Sequence, residues 1–525
     1  LTFSERKGII TLMKKVFIVG IDGATFDLIR PWVKQGYLPN FKRFMENGTT
    51  GYLRTTIPPL TPSAWTSFMT GLTPERHGVF DFYYLGEDFK IKVSTKAKGV
   101  KSIWRILSAS NKKVISIAVP MTYPPEPVNG IMIGDFFTPS LDSRFTYPPD
   151  FKETLLKNIP DYKLIEDWKY TDRDEDRERY RDAIFDLLDV QFRTTVFLME
   201  KYPWDVMMTT FLATDHSQHY YWKFMDEKHP DFDRRGAVRF GSVILDVYKK
   251  VDEYLGYFMD TLKDTTIVFM SDHGAGPLYG TVYMNNFLRR YGFLKLKSNF
   301  RVGWKRFLYG LGITPESMAR TAARLGLSKK LAGVSLGGRK KLANRIGITF
   351  GDVDWRKTYA YSFGYYSPIY INSKLRSENG VLSREDHKKV EEEIVSLLKE
   401  LKDPYTGGRL ITSIWRREEL YPGPINPYIP DIILSMGDFG YTGSTFPFPS
   451  RRIVSKSMTY KSGDHRINGV FGIMGEGIKQ GLWYEGARII DITPTILEYL
   501  GIKTDVNFSG SVLKIFEGGE NEKIS

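Results

Sequence analysis

No cysteine occurs in the 525 residues, which excludes disulfide scaffolds, thiol nucleophiles and thiolate metal sites. Any transition-metal site must be built from imidazole and carboxylate. Long apolar runs are missing too: none approaches the roughly 20 residues that a membrane-spanning helix needs. The N-terminus lacks a hydrophobic stretch with a small-residue cleavage site, so a soluble cytoplasmic protein is expected. Internal repeats and low-complexity tracts are absent. Histidine is scarce at seven residues, so the positions it occupies are informative.

With 42% hydrophobic and 26% charged residues, the composition is that of a folded chain. The length suits one large α/β domain with insertions. Short apolar runs at 16–21, 113–119, 205–212, 265–270, 431–435 and 468–473 read as buried strands. Segments of helical period lie between them at 39–47, 177–201, 239–262, 384–401 and 491–500. Strands alternating with helices predict a mostly parallel sheet covered on both faces.

The net charge of +13 is concentrated. Residues 287–346 hold 15 Lys or Arg against one acid, Glu316, so the rest of the chain carries −1. This stretch reads as a basic helical cap inserted at 285–346, interrupting a discontinuous catalytic core at 13–284 and 347–515. Residues 1–12 read as an N-terminal extension, because Met13 leads directly into a strand, and 516–525 as a flexible polar tail.

Open α/β sheets gather their active sites at the carboxyl ends of strands. Asp22 follows the first predicted strand, Asp215 to His219 the third, and Asp272-His273 the fourth, while Asp464-His465 precedes the last. Three of the seven histidines thus fall at such ends with an aspartate close by. Asp215 and His219 are one helical turn apart, on one face. Alone, each is equally well a turn former, a cap or a structural histidine; together they supply enough ligands for two metal sites. Thr61-Pro62 reads as a helix start with the hydroxyl at the N-cap position. A hydroxyl there lies in the positive field of the helix terminus, which suits a developing alkoxide or a bound phosphoryl group.

The run Ile21-Asp22-Gly23, the stretch Leu60-Thr61-Pro62-Ser63-Ala64-Trp65-Thr66-Ser67-Phe68-Met69-Thr70-Gly71, and Pro74-Glu75-Arg76-His77-Gly78 carry a resemblance. So do Asp215-x-x-x-His219, Asp272-His273-Gly274, Gly463-Asp464-His465-Arg466 and the closing Asp491-Ile492-Thr493-Pro494-Thr495. In this order the chain resembles the type I phosphodiesterase/nucleotide pyrophosphatase branch of the alkaline phosphatase superfamily, within it the phosphohydrolase/phosphomutase group of archaea and bacteria. The resemblance implies an alkaline phosphatase-like three-layer sandwich and a two-metal phosphoester hydrolase with Thr61 as nucleophile, forming a phosphothreonine. It implies one divalent ion on Asp215, His219 and His465, and another on Asp22, Asp272 and His273 with the Thr61 oxygen. Zinc is the usual metal, and manganese or iron also suit such ligands.

Two positions depart from the pattern. Ala64 stands where nucleotide pyrophosphatases carry an asparagine that contacts a phosphoryl oxygen, and Pro62 has no N–H to donate. The N–H groups of Ser63 and Ala64 are the expected substitutes. The Cys/Ser-x-Pro-x-Arg run of sulfatases is not matched by Thr61-Pro62-Ser63, which argues against a sulfatase. A phosphomonoesterase or phosphomutase on the same site is the nearest rival. An anionic phosphoester substrate is expected in each case. The 287–346 stretch, with Phe300, Trp304, Phe307 and Tyr309 among its cations, is expected to attract substrate or to contact an anionic membrane peripherally, with nucleic acid the weaker reading.

Overall fold

Strands buried on both faces must be apolar at every position, and alternate side chains then serve opposite layers. The computed structural model describes residues 14–86, 88–94, 97, 99–324, 347–423, 426–444, 447–456 and 460–517. The extension 1–12, the 325–346 part of the basic cap and the 518–525 part of the tail lie outside the described residues.

Among the described residues the central sheet has nine strands. They are Val16–Ile21 (β1), Thr49–Arg54 (β2), Val114–Ile117 (β3), Gly130–Ile133 (β4), Thr146–Tyr147 (β5), Val206–Phe211 (β6), Thr266–Met270 (β7), Asn468–Met474 (β8) and Leu482–Trp483 (β9). Their order across the sheet is β9-β2-β8-β7-β1-β6-β3-β4-β5. The inner five, β7 to β4, run parallel. β8 is antiparallel to both its neighbours, and β5 is antiparallel to β4.

Phe17, Val19 and Ile21 of β1, Met207 and Phe211 of β6, and Ile267 and Phe269 of β7 face one layer. The helices Pro39–Asn47 (α1), Asp174–Lys201 (α3), Ala213–Met225 (α4) and Val243–Thr261 (α5) pack there. Val16, Ile18, Val206, Met208, Val268 and Met270 face the other layer, covered by Thr61–Thr70 (α2) and Ile492–Tyr499 (α7). This is the expected three-layer α/β sandwich with a mostly parallel sheet.

Two local expectations change, and the helical reading of the basic stretch holds where the structure describes it. The run at 431–435 is a strand, Ile432–Met436, but it joins a separate antiparallel sheet with Ala360–Ser362, Ile369–Ile371 and Ile411–Arg416. Ile432, Leu434 and Met436 bury in a third core with Phe287 and Leu288 from the start of the basic stretch and Ile348 and Val353 from just beyond it, while Ile433 faces a fourth. Continuous burial marks a strand as internal without saying which sheet owns it. The helix expected at 239–262 breaks at Gly241-Ser242, between Arg234–Phe240 and α5. The basic stretch forms helices Met284–Arg290, Phe300–Gly310 (α6) and Pro315–Arg324. Within it Lys305, 1% exposed, pairs with Asp352 at 2.6 Å.

The Pro74-Glu75-Arg76-His77-Gly78 run braces α2. Val79 N–H donates to His77 Nδ1, so the proton sits on Nε2, which donates to Ser67 Oγ at 2.9 Å. Burial lowers the His77 pKa from 6.5 to about 3. As pH falls below 6.5, the unfolded chain takes up a proton that the folded chain refuses until about 3, so this imidazole costs stability progressively over that window. We expect His77→Gln to remove that acid sensitivity. By pH 4 wild type should lose on the order of 3 kcal/mol more than the variant, relative to pH 7, in urea unfolding followed by tryptophan fluorescence. Equal losses would show that His77 does not titrate this way.

Candidate metal centre

The carboxyl ends of β1, β6 and β7 lie side by side because these strands are sheet neighbours, and the next residues meet there. Asp22 follows β1; its N–H donates to the Phe211 carbonyl and its own carbonyl accepts from Thr214 Oγ1. Gly23 has φ +68°, a conformation that suits glycine, and turns its N–H onto Asp272 Oδ1 at 3.2 Å. After β7, Ser271 accepts from Val470 N–H and donates to the Ala24 carbonyl, locking the loop that carries Asp272 and His273. Asp215 and His219 lie on α4 one turn apart, with Oδ2 and Nε2 3.2 Å apart. His216, between them, pairs instead with Glu166. Gly463–Arg466, antiparallel to Gly274–Pro277, brings Asp464 and His465 in from the far end of the chain.

All seven residues expected from the sequence converge. Asp22, Asp272 and His273 form one buried group, and Asp215, His273 and His465 a second. His219, Asp464 and His465 form a third. His465 Nε2 is 3.2 Å from His219 Nε2 and 3.6 Å from Asp215 Oδ1. Thr61 Oγ1 is 3.3 Å from His273 Nε2, which is 3.1 Å from Asp272 Oδ2 and 3.7 Å from Asp22 Oδ1. The His273 and His465 rings stack at 3.6 Å, joining the groups.

Each of the three imidazoles is fixed in the same sense. Nδ1 lies against a backbone carbonyl in every case: Gly463 for His219 at 2.8 Å, Gly274 for His273 at 3.0 Å, Pro59 for His465 at 2.8 Å. A carbonyl only accepts, so Nδ1 carries the proton and the neutral ring turns its bare Nε2 into the cluster. Burial lowers the pKa of His273, to about 4, and that of His465, favouring the neutral rings. Burial, then the facing carboxylates, push Asp22 well above the usual range and Asp272 up to about 8. Asp22 Oδ1 and Asp272 Oδ2 are buried with no hydrogen-bond partner among the described residues. Lone pairs aimed at one another with too few donors fit divalent cations bound through nitrogen and oxygen.

Thr61 is the first residue of α2, and Leu60 is the N-cap. Leu60 has extended backbone and its carbonyl accepts the first helical bond, from Ala64 N–H at 2.9 Å. The Thr61 hydroxyl therefore makes no cap bond and is left for His273. The same bond occupies Ala64 N–H, leaving Ser63 N–H as the helix-terminal donor next to Pro62. One turn along, Trp65 Nε1–H donates to Asp22 Oδ2 at 3.2 Å, keying the helix to the cluster.

Sequence reasoning placed Asp464 in a motif but not in the ligand set, although its position beside His465 was a usable signal. Its carboxylate accepts from Tyr365 and Tyr366 hydroxyls at 2.8 and 3.2 Å. Lys461 lies 3.1 Å from both His219 Nε2 and the Tyr365 hydroxyl. Nothing in the local sequence marks these tyrosines or this lysine.

A sequence profile described as type I phosphodiesterase / nucleotide pyrophosphatase matches residues 16–445. The chain belongs to this family. The type I phosphodiesterases form a branch of the alkaline phosphatase superfamily, and the chain has their enzyme class and their α/β fold. Lys461, Asp464 and His465 lie beyond the matched residues, and the fold brings them to the rest. Human ectonucleotide pyrophosphatase/phosphodiesterase 5 has a similar structure, with a TM-score of 0.50 and 12% identity over 95% of this chain and 97% of that one. The murine protein, solved as an inactive variant in complex with AMP, gives a TM-score of 0.51 and 12% identity over 95% and 97%. Among curated protein sequences none matches.

Gly463 tests how the phosphodiesterase cluster is assembled. A Cβ there would lie 2.3 Å from the Gln218 carbonyl, forcing α4 away from the strand that carries His465. If the cluster holds divalent cations, Gly463→Ala should weaken their binding by at least about tenfold in a competition titration while leaving the circular dichroism spectrum unchanged. Unaltered affinity would mean that this approach does not set the ligand geometry.

Proposed function

We propose that this chain is a divalent-metal-dependent phosphodiesterase of the nucleotide pyrophosphatase kind, working through a phosphothreonine at Thr61. The observation that carries this reading is the set of three imidazoles locked through Nδ1, converging with four carboxylates beside one hydroxyl. Asp22, Asp272, His273 and the Thr61 oxygen would hold one ion, and Asp215, His219 and His465 the other, with Asp464 beside them. Zinc is the first candidate, and manganese or iron is compatible with the same ligands. Ions there supply Lewis acidity, acidify the Thr61 hydroxyl and neutralise charge on the transferring group.

The chain's own groups define the rest. Thr61 Oγ1, as the alkoxide, forms a bond to phosphorus in line with the leaving oxygen, whose bond breaks as the alcoholate departs. Water then attacks the phosphothreonine, the Oγ1–P bond breaks, and Thr61 is restored with a phosphomonoester released. Rigid burial of all of α2 holds the nucleophile without reorganisation. Ser63 N–H and the Lys461 ammonium remain to meet phosphoryl oxygens where the family asparagine is replaced by Ala64.

Diester preference rests on charge. A monoester presents a dianion and needs more cations at its non-bridging oxygens. The guanidinium nearest in sequence, Arg466, donates to the carbonyls of Phe439, His465 and Pro277 instead. The AMP bound by the murine fold neighbour makes nucleotide diesters the first natural substrates to test.

Bis(p-nitrophenyl) phosphate should be hydrolysed faster than p-nitrophenyl phosphate. Activity should disappear with chelator and return with added zinc or manganese. Thr61→Ala should lower kcat by at least about a thousandfold. An unchanged rate in Thr61→Ala removes the nucleophile from the scheme, and a preference for the monoester favours the phosphomonoesterase or phosphomutase reading.

A further inference from the structure

We propose that the outer face of α6 and the cationic hollow beside it form a docking surface for an anionic lipid bilayer. The spacing of α6 separates two faces. Val302, Lys305 and Tyr309 point inward and are buried. Phe300, Trp304, Phe307 and Leu311, spaced by four, three and four residues, stand on the opposite side and are 90%, 54%, 54% and 62% exposed. Water-facing aromatic and leucine side chains in one row have lost most of the gain that burial would bring. The Trp304 and Phe307 rings lie near-parallel at 5.6 Å, forming a single apolar ridge.

The flank of that ridge is cationic. A hollow of about 960 Å3 is lined by Arg289, Arg290, Lys295, Arg306, Lys402 and Arg452. Arg306 belongs to α6 itself, so ridge and hollow are continuous. Arg451, also in the wall, donates to the Gly310 carbonyl. The nearby acids are engaged elsewhere: Asp352 with Lys305, Glu316 with Ser455 Oγ, and Asp403 with Tyr405 N–H, Thr406 and Tyr441. From 317 to 351 the sequence contains no Asp or Glu at all. Among the described residues none of these six cations pairs with an acid, and guanidinium and ammonium groups around a hollow are the complement of clustered phosphates.

A bilayer accounts for both halves together. Its headgroup phosphates take cations spread over several elements, and the acyl boundary takes a protruding row of aromatic rings. An acidic protein would instead present a groove to the ridge, and a soluble polyanion would leave the ridge in water. No helix among the described residues is long and apolar enough to cross a membrane, so the contact is a peripheral one. It is independent of the reaction proposed above.

The full-length protein should co-sediment with phosphatidylcholine vesicles containing one third phosphatidylserine at low salt, more weakly at physiological salt, and not with phosphatidylcholine alone. Trp304→Ser with Phe307→Ser, and separately Arg290→Glu with Arg306→Glu, should each weaken vesicle binding at least tenfold, with circular dichroism confirming the fold. These positions are exposed, so either pair suffices if the other is unstable. No sedimentation with the anionic vesicles at low salt overturns the proposal. So does vesicle binding that the aromatic pair leaves unchanged. Inorganic tripolyphosphate or polyglutamate binding by calorimetry, without vesicle binding, reassigns the surface to a soluble polyanion or an acidic protein.

Discussion

Four aspartates, Asp22, Asp215, Asp272 and Asp464, are held out of water within one cluster, and like charges at such distances do not tolerate burial unaided. Much of the architecture around them either creates this repulsion or contains it. Trp65 and Gly23 steady Asp22 and Asp272, while two tyrosine hydroxyls and the Lys461 ammonium steady the opposite side. What remains unbalanced at the centre is the affinity for cations. A site arranged this way stores electrostatic strain in the protein, which a cation held there would relieve.

The sandwich supplies the rigidity that such an arrangement demands. Three adjacent parallel strands deliver Asp22, Asp215 and Asp272-His273 to one edge, and their alternating side chains anchor them in two separate cores. His465 arrives from some two hundred residues downstream of His273 and is held by stacking on its ring and by the Pro59 carbonyl. That carbonyl lies two residues before the Thr61 hydroxyl, so Thr61 and His465 are registered through one short segment.

Residues whose chemistry is written in their own side chains were legible in the sequence. Asp and His at strand ends announce themselves, and all six expected ligands meet. The sandwich was equally legible, since strands such as Val16–Ile21 have no polar position to confuse them. What escaped was relational. The Ile432–Met436 strand has the same apolar character as its counterparts, and only its partners place it in the second sheet. Short strands such as Gly130–Ile133 carry too little pattern to stand out. Thr61 differs from its expected role by a single position, because Leu60, with no side-chain oxygen, takes the cap through backbone geometry alone. Tyr365, Tyr366 and Lys461 act through contacts across about a hundred residues, which local spacing does not encode.

Every residue of α2 is buried, and its Thr66 and Thr70 hydroxyls are spent on the helix's own carbonyls. One side of the cluster is thus formed by a helix packed along its whole length. The opposing wall, where Tyr365 and Lys461 stand, is assembled from other parts of the chain and touches the ligand cluster from outside the sheet. In the proposed reaction, selectivity and bond breaking would thereby be housed in different pieces of the fold. A descendant of this chain could exchange the alcohol it releases by remodelling that second wall, leaving the threonine and its helix untouched.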